Sequence, residues 1–243
     1  MGVEITVLIC CYNGERFLRR ALESLINQKV KLRDFEVLFI DDGSTDCSYE
    51  IAKSFEEKLP LRIYKNDINL GLTESCNKGI QLAKGDWIVR LDADDAFSPE
   101  MLGTLFVYIN LKESDFIYSN RKDIYWDKGE EINVDLQEFN VFKLIASGIA
   151  MRRSLLFDIG GYRKLFWEEY DLYIRYLGKS RKLPLHIKKP LYYYSVYKGS
   201  MTSDPRKTDR GWEELVKEWG INKLKKYGRD KRLNGKFANN HNR

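Results

Sequence analysis

The chain has 243 residues, 43% of them hydrophobic and 13% aromatic. This is enough for one generous core, and the composition excludes an intrinsically disordered chain. No apolar run approaches the roughly 20 residues of a membrane-spanning helix, and no basic-then-apolar leader suggests secretion. The net charge is +5, but from Arg206 onward twelve basic residues stand against five acidic ones, so the rest is about two charges negative. A near-neutral body with a basic tail argues against nucleic acid as a partner, because nucleic-acid domains line a working surface with their cations. Cys10, Cys11, Cys47 and Cys76 fit neither zinc nor disulfide spacing, which leaves reduced thiols and a cytoplasmic location as the expectation.

In chain order, Ile5–Cys11 is an apolar run too short for a helix and closed by Tyr12-Asn13-Gly14, hence a buried strand ending in a turn. Residues 16–27 carry Phe17, Ala21, Leu22, Leu25 and Ile26 at helical spacing. Residues 35–40 form a second strand that stops at Asp41-Asp42-Gly43-Ser44. Asp46 is positioned to cap a helix with Ile51, Ala52 and Phe55 inside. A third strand covers residues 61–64, and a helix capped by Thr73 covers 73–83. A fourth strand, 87–91, runs into Asp92-Ala93-Asp94-Asp95. In the second half, helices are expected over 99–111, 138–145, 154–159 and 168–177, and one or two strands over 116–126. Further strands are expected over 149–152 and 191–197. Residues 211–227 read as a basic amphipathic helix. Its apolar residues Trp212, Leu215, Trp219 and Leu224 are candidates for peripheral contact with anionic lipid.

Strands alternating with helices over the first ninety residues give βαβ units and a parallel sheet. Ligands bind such sheets beyond the carboxyl ends of the strands. Tyr12-Asn13, Asp41-Asp42 and Asp92 to Asp95 all fall there. Crowded carboxylates at a strand end repel one another, and a hard divalent cation such as Mn²⁺ or Mg²⁺ resolves this. Arg90 beside them can oppose diphosphate charge or pair with a carboxylate. No GxGxxG and no GxxxxGK[ST] occurs, which excludes dinucleotide dehydrogenases and P-loop enzymes. Two histidines leave little room for a Ser-His triad, so a carboxylate from Glu168-Glu169-Tyr170-Asp171 is the expected general base.

Taken together, the segment 7–13 (VLICCYN), Asp41 to Ser44 (DDGS), Asn69-Leu70-Gly71 with Asn77-Lys78-Gly79, Arg90 to Asp95 (RLDADD), Gly160-Gly161-Tyr162 and Glu168 to Leu172 (EEYDL) resemble glycosyltransferase family 2, of the GT-A fold. The resemblance implies a Rossmann-like, mostly parallel α/β sheet flanked by helices. It implies inverting transfer of one sugar from a nucleotide-sugar donor, UDP favoured, to a hydroxyl of a glycan or lipid-linked acceptor. By matching position, Cys10, Tyr12, Asp41, Asp42, Asn69, Arg90, Asp92 and Ala93 would bind the donor, with Asp42 at the base. Asp94, helped by Asp92, would hold the metal. Glu169 would be the general base, although it replaces an Asp of the family pattern and Asp171 is an alternative. A histidine that often completes the metal shell is matched by Tyr197. The expected layout is a catalytic domain over 1–205, with a donor half (1–98) and an acceptor half (99–205), followed by a basic tail (206–243). The alternatives are a catalytically degenerate nucleotide-sugar-binding protein on the same fold and a nucleotidyltransferase. The latter lacks a glycine-rich basic loop after the first strand.

Overall fold

The structure, a computed structural model, describes residues 3–200 and 204–234. The elements run β1 (Ile5–Cys11), α1 (Glu15–Ile26), β2 (Phe35–Asp41), α2 (Ser48–Lys53), β3 (Leu61–Lys65), α3 (Leu72–Leu82), β4 (Trp87–Arg90) and β5 (Ala96–Phe97). They continue with α4 (Met101–Asn110), β6 (Phe116–Tyr125), β7 (Glu130–Val134), β8 (Ala150–Arg152), α5 (Arg153–Asp158), α6 (Glu168–Lys179) and β9 (Leu185–Val196). Three helices close the described chain: α7 (Pro205–Trp219), α8 (Ile221–Leu224) and α9 (Lys231–Asn234).

One sheet organises all of this, in the order β3-β2-β1-β4-β8-β6-β9-β5, with β7 added beside β6. Strands β1 to β4 pair in parallel, as the βαβ reading requires. Beyond β4 the sheet turns mixed: β8 is antiparallel to both β4 and β6, while β9 runs parallel to β6. The strand residues divide by period two between two cores. Ile5, Val7, Ile9, Val37, Phe39 and Val89 pack with α1 and α4 on one face. Leu8, Leu38, Ile40 and Ile88 pack with α3 and α6 on the other. Burial on both faces is why the strands read as continuous apolar runs instead of alternating ones.

Several local expectations are corrected. Thr73 lies inside α3, and Gly71 is the cap residue. The loop is held instead by Asp42, which accepts from the Leu70 and Gly71 amides at 2.9 Å each. Residues 138–145 form only a 3₁₀ turn, Val141–Lys143, capped by the Asn140 side chain accepting from the Phe142 amide. Residues 116–125 are a single strand, and its hairpin partner β7 has four of its five residues exposed, so it carries no apolar pattern to find.

The basic C-terminal helix breaks at Gly220. Most of its apolar face is turned into the protein: Trp212 and Leu215 are each 1% exposed and Leu224 is fully buried, while Trp219 is half-buried. Trp212 packs against the rings of Phe142, Trp167 and Tyr170. The amphipathic pattern is that of a helix closing a protein core, a use the same periodicity serves equally well. Residues 235–243 of the expected tail, and the end of the weak motif echo at 194–202, lie outside the described residues. Among those described, no helix is long and apolar enough to cross a membrane.

Candidate functional site

The carboxyl ends of β1, β2 and β4 carry the site because parallel pairing brings them level. Cys11 lies opposite Asp41, and Leu8 lies opposite Arg90. The turns after β1 and β2 are cross-braced. Thr45 N–H donates to Asn13 Oδ1 at 2.8 Å, and Gly14 N–H donates to Ser48 Oγ at 2.8 Å. Asp46 accepts from the amides of Glu15 and Ser48, so it ties the two turns as well as starting α2. Gly43 has φ +73°, and a Cβ there would lie 2.6 Å from the Ile68 carbonyl carbon. Only glycine lets the turn approach the loop before α3 this closely.

Asp41 and Asp42 are both buried. Asp41 accepts from the Ser44 amide and lies 3.8 Å from Lys65 Nζ. Asp42 accepts from Asn66 Nδ2 at 2.8 Å as well as from Leu70 and Gly71. Three accepted bonds on a carboxylate with about four lone-pair sites leave it little spare capacity. Its direct work is to fold the 66–71 loop over the end of β2. Asn69 accepts from the Gly71 amide in the same loop, and Tyr12 stands 48% exposed at the end of β1. Cys10 lies against Cys76, Sγ to Sγ 3.7 Å, beneath the site.

The turn after β4 separates its carboxylates by what faces each one. Asp92 accepts from Arg90 Nε at 2.7 Å and from Ser147 Oγ at 2.8 Å. Asp94 accepts from the Tyr197 hydroxyl at 2.8 Å, while its backbone carbonyl accepts from Arg20 and Ser195. Asp95 is 1% exposed and accepts from the Tyr192 hydroxyl and the Ser195 amide, each at 2.7 Å. Burial, then the neighbouring Asp92, raises the Asp94 pKa. The end of the turn is thus held by Tyr192 and Ser195 of β9, a strand a hundred residues away.

Arg90 is 5% exposed. Besides Asp92 it approaches Glu168, Nη1 to Oε1 3.6 Å, too far for a hydrogen bond, and both atoms are buried without one. Burial opposes its charge, but Asp92 and its other neighbours hold its pKa well above the ordinary arginine value. Arg90, Asp92, Asp94, Glu168 and Glu169 line one cavity of about 590 Å³. Arg121, Lys143, Trp167, Tyr170 and Tyr194 also line it.

Helix α6 separates the two base candidates. Glu169 faces the cavity at 7% exposure, and burial followed by the Glu168 charge pushes its pKa well up. Asp171 is fully buried, is not among the cavity's lining residues, and is enclosed by donors. It pairs with Arg163 and with Arg175 Nε at 2.8 Å, and accepts from Trp219 Nε1 at 3.0 Å. Burial opposes its charge, but hydrogen bonds from the two arginines hold its pKa below the ordinary value. Its lone pairs are committed to structural donors, which sets Asp171 apart from Glu169 as a candidate base. Sequence reading left Ser147 unmentioned, and it kept Glu168 only as one acid in a helix-start run. Neither has a local signature, because each matters only through a partner distant in the chain.

Among the described residues, no three His, Cys, Asp or Glu side chains form a self-sufficient metal cluster. The residues present still fit a hard cation of the kind that begins its shell on one or two carboxylates and completes it with phosphate and water. Burial first and the neighbouring Asp92 second raise the Asp94 pKa, and a cation at this turn would oppose both.

A family model described as "Glycosyl transferase family 2" matches residues 6–174. The chain belongs to that family. Among its family relatives, the glycosyltransferase GlyA of Streptococcus pneumoniae is 29% identical over 226 residues, a match that covers 82% of this chain and 31% of that protein. The chain therefore spans about a third of the length of that relative. Among solved structures, S. aureus TarS in complex with UDP-GlcNAc superposes with a TM-score of 0.78 at 19% identity, over 98% of this chain and 74% of that one. The mannosyltransferase PcManGT of Pyrobaculum calidifontis, in complex with GDP-Man and Mn²⁺, gives 0.68 at 16% identity over 95% and 66%. These likenesses establish the shared GT-A fold. The match to the family model takes in every candidate donor, metal and base residue and ends within α6.

Proposed function

We propose that this chain moves one sugar from a nucleoside-diphosphate donor, a UDP-sugar by preference, to a hydroxyl of a glycan or lipid-linked acceptor. The observation that carries the reading is the meeting of Arg90, Asp92, Asp94 and Glu169 on one cavity beyond the carboxyl ends of parallel strands. Residues 1–98 are assigned to the donor and 99–205 to the acceptor. The donor's diphosphate lies against the turn after β4, with the nucleoside toward Tyr12, Asp42 and the 66–71 loop. The acceptor enters from the Trp167 and Tyr170 side.

Transfer is a direct displacement with inversion. The acceptor oxygen bonds to the anomeric carbon while the bond to the diphosphate breaks on the opposite face. Glu169 takes the acceptor's proton, and its raised pKa makes it a stronger base than an ordinary carboxylate. Bound Mn²⁺ or Mg²⁺ supplies charge neutralisation for the leaving diphosphate. Asp94, with Asp92, would hold it. Arg90 orients Asp92 through its Nε, and Ser147 fixes the second oxygen of that carboxylate.

Thermal melting with UDP, GDP, dTDP and CDP, each with and without Mn²⁺, tests the donor assignment, because a ligand of the folded state raises the midpoint. The expected result is a metal-dependent rise with UDP that Asp94→Ala abolishes. No rise with any diphosphate would refute the reading.

A further inference from the structure

The cavity that holds Glu169 does not end at the reacting groups. Lys143, one of its lining residues, also lines a second groove, of about 370 Å³, together with Asn140, Lys225, Lys226 and Arg229. Lys143, Lys225, Lys226 and Arg229 are all exposed, and among the described residues none of the four is ion-paired with a carboxylate. A single carboxylate, Glu138, lines this second groove.

These cations are fixed to the catalytic cavity by the backbone. Val141 N–H donates to the Tyr227 carbonyl at 2.9 Å, and Asn140 Nδ2 donates to the Arg229 carbonyl at 2.9 Å. A Cβ at Gly228 would lie 2.0 Å from Asn140 Oδ1, so the loop that carries Lys225, Lys226 and Arg229 is pressed onto the Val141–Lys143 turn. The neighbouring Phe142 in turn packs on Trp212 of α7. The C-terminal element is therefore a wall of the second groove, which meets the cavity at Lys143, and it contributes three of the four unpaired charges.

We propose that this strip is the path of the acceptor, and that the acceptor is a polyanion bearing repeated phosphate groups. Its hydroxyl-bearing end enters the Glu169 cavity, while its charges follow Lys143, Lys225, Lys226 and Arg229. The assignment deepens the transfer reading and rests on it for the word acceptor; the anion binding stands by itself. A neutral glycan gains nothing from four unpaired cations. A bilayer is the poorer fit, because the cations line a groove that shares Lys143 with the cavity, and Trp212, Leu215, Val216 and Leu224 of α7 and α8 are buried in the protein.

The test uses end-labelled inorganic polyphosphate as probe, with the full chain, read by fluorescence anisotropy across a salt series. Two triple variants carry equal charge changes: Lys225→Glu/Lys226→Glu/Arg229→Glu in the groove, and Lys164→Glu/Lys207→Glu/Arg210→Glu on a separate basic groove. Wild type is expected to bind with steep salt dependence, and the first triple to lose about tenfold or more in affinity with a shallower salt slope. The second triple should keep most of the affinity. The corresponding Gln triples replace any Glu variant that does not fold. Equal losses in both triples, or unchanged binding in the first, would overturn the proposal. So would a wild type that sediments with phosphatidylglycerol vesicles yet does not bind polyphosphate. A wild type that binds polyphosphate but shows no diphosphate-induced melting shift would sink the transfer reading and leave the groove's anion binding standing.

Discussion

The two acidic clusters, Asp92 to Asp95 after β4 and Glu168 to Asp171 at the start of α6, are built alike and partnered differently. Each presents carboxylates to the shared cavity and withdraws one from it. Asp95 is withdrawn by uncharged donors, the Tyr192 hydroxyl and the Ser195 amide, and burial pushes its pKa well up. Asp171 is withdrawn by two guanidiniums and an indole, and its pKa goes down. Glu169, two residues from Asp171, faces the cavity without a cation in direct contact, and its pKa goes up. Neighbours in sequence thus take opposite roles, because charge in a sheltered site is governed by what stands opposite it.

The comparison breaks most visibly at Asp171. Asp171→Ala leaves Arg163 and Arg175 without their shared carboxylate and should cost about 3–5 kcal/mol in urea unfolding. A variant that keeps wild-type stability but loses all turnover would return Asp171 to the chemistry. The sign of its pH dependence follows from its depressed folded pKa. Its stabilisation is complete above the ordinary Asp value of about 3.9 and disappears as pH falls through the lower folded value. Asp171→Asn should therefore flatten the acid side of the stability profile.

Asp95→Asn should cost less, about 1–3 kcal/mol, because the amide accepts one of the two bonds and turns a donor toward the other. It should leave stability less pH-sensitive and loosen the turn that carries Asp92 and Asp94. For Glu169 the raised pKa predicts that the acid limb of kcat/KM lies above the ordinary glutamate value of about 4.3. A limb at the ordinary value would place the base elsewhere. Ser147→Ala is the smallest change. It removes one hydrogen bond to Asp92, about 0.5–1.5 kcal/mol, and should lower kcat/KM by at most about tenfold with little effect on the melting midpoint.

The parallel half of the molecule was readable because each strand is an apolar run with a turn of polar residues at its carboxyl end. β1 to β4 and the intervening helices fall within one or two residues of expectation. The 73–83 helix was placed correctly and its cap was not, because Asp42, about thirty residues earlier, does the work Thr73 was expected to do. The second half of the chain was harder to read for the same reason on a larger scale. β7 is a mostly exposed edge strand without apolar pattern, and the 138–145 segment takes its shape from the loop at 227–229. The helix at 205–219 showed its amphipathic period plainly, but periodicity says that a face is covered, not by what. Lipid was one candidate for that face, and Trp212 of it is covered by Phe142, Trp167 and Tyr170. In the site, the motif residues were legible, while the partners that decide their roles, Ser147, Tyr192, Ser195 and Arg163, lie far away in sequence.

The central claim is that Glu169, and not Asp171, takes the acceptor's proton. Glu169→Gln keeps the size of the side chain and removes the base, so one variant measured two ways is decisive. The account predicts that kcat falls by about 10²–10⁴-fold while the metal-dependent, UDP-induced rise in melting midpoint matches wild type. A Glu169→Gln protein that turns over near the wild-type rate would contradict it.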